Sequence, residues 1–445
     1  MKFHTINRTA KAVALSLAIG LGTIACSRDY TAAFVYSVSS GSTLTNGGQV
    51  SAFAVDFQSG VLTQISGSPF VSNLTNPTTI IANPNGKTLY VIGGSQNAQV
   101  SVMTVGSDGK LFAQQTPNIF PGASFPTAAA IDPSGSFLYV TYTFQSGFST
   151  ASPGPGGVTI FPINPANAAT NPGGLGTPTN VNVGNNPIAI AVSAQVCDPT
   201  NSAAAGSASN TPCVTVGSNG TANNGVEGVF VYVVDAETQS TLPTVLGFAE
   251  NTTTGALTPL PGTNTNGGWN AGVAPSAIAI DPTGKYVYIT DKQQNEIFGY
   301  AITNSSTAAP GADGGLTPLL FGPFPTGGFP MSITIEPRGK YVYVANYNSN
   351  SVSSYSLNLA NGTLGASAGT TFSTQTGPTC VTVEPALGIY LYTSNFLDAS
   401  ISGGQLSPET GQLTSVADSF FPTVAQPACL TSVPNGAHSV QEITQ

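Results

Sequence analysis

Seven times along these 445 residues a proline opens a short apolar run. The runs read PTTIIANPNGKTLYV from Pro77, PTAAAIDPSGSFLYV from Pro126, PIAIAV from Pro187, PSAIAIDPTGKYVYI from Pro275, PMSITIEPRGKYVYV from Pro330, PTCVTVEPALGIYLY from Pro378 and PACLTSVPNGAHSV from Pro427. A multi-strand unit recurring every roughly 50 residues cannot bury its faces alone and must stack on its neighbours, which is the signature of a β-propeller with one blade per repeat. Two more markers recur with the same count. Tyrosine-centred strands surround Tyr36, Tyr90, Tyr139, Tyr232, Tyr288, Tyr343 and Tyr392. Glycine–leucine hairpin signals fall at Gly60/Leu62, Gly109/Leu111, Gly174/Leu175, Gly255/Leu257, Gly315/Leu316, Gly362/Leu364 and Gly411/Leu413. The alternation inside the strands suits sheets stacked on both faces.

The markers run out of phase at the ends. The first blade begins at Phe34-Val35-Tyr36 without a proline-led strand before it, and the last proline-led strand, from Pro427, has no tyrosine strand after it. Pairing these two pieces closes the ring and removes the sheet edges that would otherwise be left. The expected fold is all-β: one seven-bladed propeller over residues 31–441, closed by N-terminal strands on a C-terminal inner strand. Only 7% of residues are charged, yet 40% are apolar and periodic, so the chain can bury a core.

The N-terminus reads as a targeting segment. Lys2, Arg8 and Lys11 precede the apolar run AVALSLAIGL, and Thr23-Ile24-Ala25-Cys26 resembles a bacterial lipoprotein cleavage box with threonine where leucine is usual. Residues 1–25 are expected to be removed with Cys26 lipidated, or cleaved as an ordinary signal with an incidental cysteine, and 26–30 to form a linker. Either route takes the protein out of the cytoplasm. The expected location is the periplasm or outer surface of a bacterium, with membrane contact only through the lipid. Loss of three basic residues leaves 7 Lys+Arg against 19 Asp+Glu, which argues against nucleic acid as a partner.

Besides Cys26 there are four cysteines, enough for two bridges in an oxidising compartment. Cys197 and Cys213 bracket a small-residue stretch, and a bridge there would staple an insertion over 194–228, which accounts for the one long repeat spacing. Cys380 and Cys429 hold equivalent places in neighbouring proline-led strands at the closure, where a bridge requires Cα atoms within about 7 Å. No CxxC occurs, so neither a metal nor any other cofactor is expected. The Asp-Pro turns at Asp132 and Asp281 admit a calcium reading or a turn aspartate capping its own backbone.

The proline-led strand, Pro-x-Gly-Lys turn and Tyr-Val-x-Asn strand resemble the YVTN-repeat propellers and the seven-bladed lactonase family, which includes 6-phosphogluconolactonases. The resemblance covers nearly all of the chain after residue 30 and is strongest over 275–302 and 330–357. It implies a histidine near a proline-led strand, an acid after a tyrosine strand and nearby arginines. This chain has Pro330-Met331-Ser332, Asn346-Tyr347 and Pro275-Ser276-Ala277 in those slots, and only Asp291 keeps an acid. Opening a lactone needs a base for water and donors for the oxyanion, so Asp291 is the one catalytic candidate.

Propellers present ligands at the end of the channel formed by second-to-third-strand loops and blade-to-blade connections. The candidates there are Asp235, Asp291, Lys292, Asn346, Tyr347, Asn395 and Trp269. Trp269 could stack on a sugar or pack between blades. The expectation is a noncatalytic envelope module for a glycan or surface protein, with a lactone hydrolase of rearranged site as the alternative. Oligomeric state is not legible in the sequence.

Overall fold

The computed structural model describes residues 31–39, 47–94, 96–114, 116–194, 228–236, 242–260, 268–303 and 314–436. The described regular elements are all strands, in seven antiparallel sheets, six of which follow chain order from inner to outer strand. The fifth blade is representative, with Pro275–Ile280, Tyr286–Asp291, Glu296–Ile302 and Leu316–Pro318 in order, and Phe324–Pro325 extending its outer edge. The first blade is assembled from both ends of the chain: Pro427–Pro434 supplies the inner strand beside Thr31–Ser39, with Tyr36 opposite Thr431. The closure expected from the out-of-phase markers is therefore the one observed.

Each inner strand starts on its proline because proline has no N–H to donate to the ladder. The pairing slips just after it, as between Pro275 and Ala277 or Pro330 and Ser332. The skipped residue is put to use in three blades, where Thr127, Ser276 and Thr379 donate a hydroxyl to the carbonyl of the next blade's proline at 2.7, 2.7 and 3.4 Å. In the third blade the second strand runs on to Gln145, and the loop to the third strand starts at Ser146.

Every seam between blades holds its own apolar cluster, seven in all. Burying one such side chain stabilises by about 1.5–3 kcal/mol, so the core is spread around the ring. A hydrogen bond recurs at each seam as well. The strand tyrosines donate their hydroxyls to a turn glycine carbonyl of the next blade: Tyr36 to Gly109, Tyr90 to Gly173, Tyr139 to Gly255, Tyr232 to Gly314, Tyr288 to Gly362, Tyr343 to Gly411 and Tyr392 to Gly60, at 2.6–3.1 Å. Burial pushes these phenols far above their ordinary range, so they stay protonated donors. The seven glycines all have φ between 68° and 83°. A Cβ at Gly411 would lie 2.2 Å from the Tyr341 ring, so both conformation and space require glycine.

The Cys380–Cys429 bridge is formed at the closing seam, with Cα atoms 5.0 Å apart. Cys26, Cys197, Cys213 and nearly all of the 194–228 insertion lie outside the described residues.

Candidate functional site

The disc has two unlike faces. One, the turn face, carries the first-to-second hairpins and the third-to-outer turns. The other, the open face, carries the second-to-third loops and the connections that lead into each proline. On the turn face, Asp132 accepts from the N–H groups of Ser134, Ser136 and Phe137, and Asp281 from those of Thr283, Lys285 and Tyr286. Both aspartates cap their own turns. No group of three or more His, Cys, Asp or Glu side chains suited to a metal occurs among the described residues.

Four of the sequence candidates occupy one equivalent position on the open face, the last residue of a second strand. Asp235 is opposite Pro187, Asp291 opposite Pro275, Asn346 opposite Pro330 and Asn395 opposite Pro378. All four are buried. Asp291 Oδ2 accepts from the N–H groups of Val273 (2.5 Å) and Ala274 (3.1 Å), while Oδ1 accepts from Gln293 (2.8 Å) and Gln294 (2.9 Å). The carboxylate thus ties the incoming connection to the loop of its own blade. Asp235 does the same for Asn185 and Asn186. Asn346 and Asn395 instead donate sideways, to Ser351 and Ser353 and to Ser400 and Ser402.

Lys292 and Tyr347 are brought together by a residue the sequence reading passed over. Phe329 stands between them: Lys292 Nζ is 5.7 Å from the centre of its ring, and the Tyr347 ring is 6.1 Å away. Phe329 has φ 59°, a region that bulky side chains avoid. It is held there by its N–H to Asn295 Oδ1 (2.7 Å) and by its carbonyl accepting from Tyr347 N–H (2.9 Å). Being followed by Pro330 it is also barred from the right-handed helical region. Strain held in this way by surrounding bonds points to function. Tyr347 in turn adjoins Gly377 and the exposed Leu397 of the seventh blade. Lysine, phenylalanine, tyrosine and leucine thus form an arc across three blades.

Beside the start of this arc sits Glu296, partly buried and directly opposite Asp291. Burial first, and then the Asp291 charge, push its carboxyl above the ordinary range. With its amide nitrogen facing them, Gln294 bridges Asp291 Oδ2 and Glu296 Oε1 at 3.2 Å each. Trp269 is elsewhere. It pairs with Val245 at the outer part of the fourth blade and packs against the apolar cluster between the fourth and fifth blades, over Gly247. The signal that would have found Phe329 was the repeated Phe-Pro at 125–126 and 329–330, where Phe125 also has positive φ, 55°.

The sequence matches the family model described as Lactonase, 7-bladed beta-propeller, over residues 35–173 and 223–383. No curated protein matches it. Among solved structures, a 6-phosphogluconolactonase candidate from Bacteroides fragilis aligns at TM-score 0.61 and 17% identity, covering 92% of this chain and 99% of its own. A second such candidate, from Bacteroides uniformis, aligns at TM-score 0.63 and 16% identity, covering 91% and 100%. The periplasmic gluconolactonase of Pseudomonas aeruginosa aligns at TM-score 0.61 and 15% identity, covering 90% and 99%. At such identities these likenesses carry the fold alone.

Proposed function

This chain belongs to the family of seven-bladed β-propeller lactonases, and from that premise we propose that it is an exported, lipid-anchored member that works as a noncatalytic binding module of the cell envelope. Its ligand in this reading is a glycan or a glycan-bearing surface partner, received on the open face by Lys292, Phe329 and Tyr347. The observation that carries the reading is the enclosure of Asp291. A general base must reach the water it activates, whereas this carboxylate is buried and faces four backbone N–H groups. The arc beside it has the character of a sugar platform: aromatic faces for stacking, with one cation for an acidic or hydroxyl-rich substituent.

The test is a glycan array probed with the protein after removal of residues 1–25, beside a pH-stat assay on sugar and aliphatic lactones. Saturable glycan binding that drops at least tenfold in Tyr347→Ala, with no lactone turnover, is the expected result. Export and lipidation are checked by mass spectrometry of Cys26 in membrane fractions. A soluble, unmodified cysteine there would remove the anchor without touching the binding claim.

One specific observation favours a second reading, lactone hydrolysis with Glu296 as base. Its carboxyl is raised and partly accessible, on the first residue of the strand that follows the loop carrying Lys292. Turnover above the spontaneous rate that disappears in Glu296→Gln, in a variant shown to be folded, would install that reading in place of the first.

A further inference from the structure

Each seam is closed near the turn face by the third-strand residue that pairs with the hairpin leucine. In six blades that residue is aliphatic: Val55 opposite Leu62, Val105 opposite Leu111, Ile163 opposite Leu175, Ile302 opposite Leu316, Leu357 opposite Leu364 and Leu406 opposite Leu413. In the fourth blade it is Glu250, opposite Leu257. Its relative exposure is 9%, and among the described residues neither carboxylate oxygen has a hydrogen-bond partner at bonding geometry. Phe248, two residues earlier on the same face, packs in the cluster between the third and fourth blades, so Glu250 is directed at that seam.

The groups that face it are few. From the third blade come the Asp132 carboxylate and the Tyr139 hydroxyl. The Asp132 oxygens are occupied by its own turn, and the Tyr139 proton is committed to Gly255 O at 3.1 Å. The strands packed around Glu250, Ala123–Ile131, Phe137–Gln145, Pro187–Val192, Phe230–Asp235 and Leu257–Pro259, contain no lysine, arginine or histidine. Their one acid, Asp235, is at the far, open-face end of its strand. The Glu250 N–H donates to Val229 O (2.9 Å), just where the chain returns from the 194–228 insertion.

We propose that Glu250 makes the seam between the third and fourth blades a proton-sensitive joint, tight when the carboxyl is neutral and loosened when it ionises beside Asp132. A neutral carboxyl fits an otherwise aliphatic slot with modest loss, whereas a charge there meets no cation among the described residues and only the Tyr139 hydroxyl to offset it. Burial, and then the Asp132 charge, push Glu250 up to about 7 against a smaller pull downward from the Tyr139 hydroxyl. The sign follows from the direction of this shift. The folded state keeps a proton that the unfolded chain has already released, so the contribution to stability is complete below the ordinary glutamate range. It declines as pH rises through that window and is gone once the folded carboxyl ionises.

The test is urea unfolding of the protein lacking residues 1–25, at steps from about pH 5 to about pH 8, for the wild type, Glu250→Leu and Glu250→Gln. Relative to either variant, the wild-type unfolding constant should rise on the order of 100-fold across this range, following roughly two units of separation between folded and unfolded titration. Limited proteolysis should cut the wild type faster at the alkaline end and the variants equally at both ends. Parallel pH profiles for all three proteins would overturn the proposal. So would failure of both variants to fold, because a joint that accepts a neutral carboxyl must accept a neutral amide.

Discussion

The two faces of the disc use the same seven repeats for opposite ends. On the turn face the devices are copies: seven tyrosines reach seven left-handed glycines across seven seams. On the open face the equivalent positions differ. The residue opposite the inner-strand proline is Ser39, Gly93, Tyr142, Asp235, Asp291, Asn346 or Asn395 according to the blade. Repetition marks where each blade must meet the next in one fixed way, and divergence marks where the ring is free to present different chemistry. Glu250 is the exception on the turn face, and it is conspicuous because its six counterparts agree.

The largest effect that would sharpen this contrast is Gly411→Ala on the turn face against Gly122→Ala on the open face. Both glycines have positive φ, 70° and 66°. At Gly411 the added Cβ meets the Tyr341 ring at 2.2 Å, whereas at Gly122 its nearest contact is Ser146 Cβ at 3.5 Å. The first should lose about 3 kcal/mol or more through strain and overpacking and the second about 1 kcal/mol, read from urea midpoints at a common m-value. Equal losses would mean that backbone conformation alone, and not the seam, demands glycine.

Next in size is Asp291→Ala. Removing the carboxylate leaves four backbone N–H groups to find other partners, and a loss of about 2–4 kcal/mol is expected. Asp291→Asn should recover part of it, since one amide oxygen still accepts. If Asp291 were instead the catalytic base of a lactonase, Asp291→Asn would abolish turnover with the stability almost intact. The two outcomes separate a loop tie from an active site.

The ring, its closure and the Cys380–Cys429 bridge were legible because they depend on periodicity and position, which a linear text preserves. The reason for two of the three markers was not. Tyrosine and glycine read as strand and turn signals taken separately, while their hydrogen bonds join residues 68 to 116 apart, or 332 across the closure. Asp291 shows the same limit. The sequence displays an acid at a strand end, but the convergence of Val273, Ala274, Gln293 and Gln294 on it is a three-dimensional fact. Phe329 was missed because it precedes a repeat marker and belongs to none. Glu250 could have been found by aligning the hairpin leucines, since the residue opposite each is aliphatic in every other blade.

The smallest effect tests whether the turn-face devices are independent. Tyr343→Phe deletes one hydroxyl and keeps the ring, leaving Gly411 O without its partner; about 1 kcal/mol should be lost. Tyr288→Phe, one seam earlier, should cost the same. In a ring where each blade touches only its neighbours, the double variant should lose the sum within about 0.5 kcal/mol. A double loss well below the sum would mean that opening one seam already loosens the next, so that the ring yields as one unit. In that case the proton on Glu250 would be felt beyond the third and fourth blades, and the open face above the fifth and sixth would feel it too.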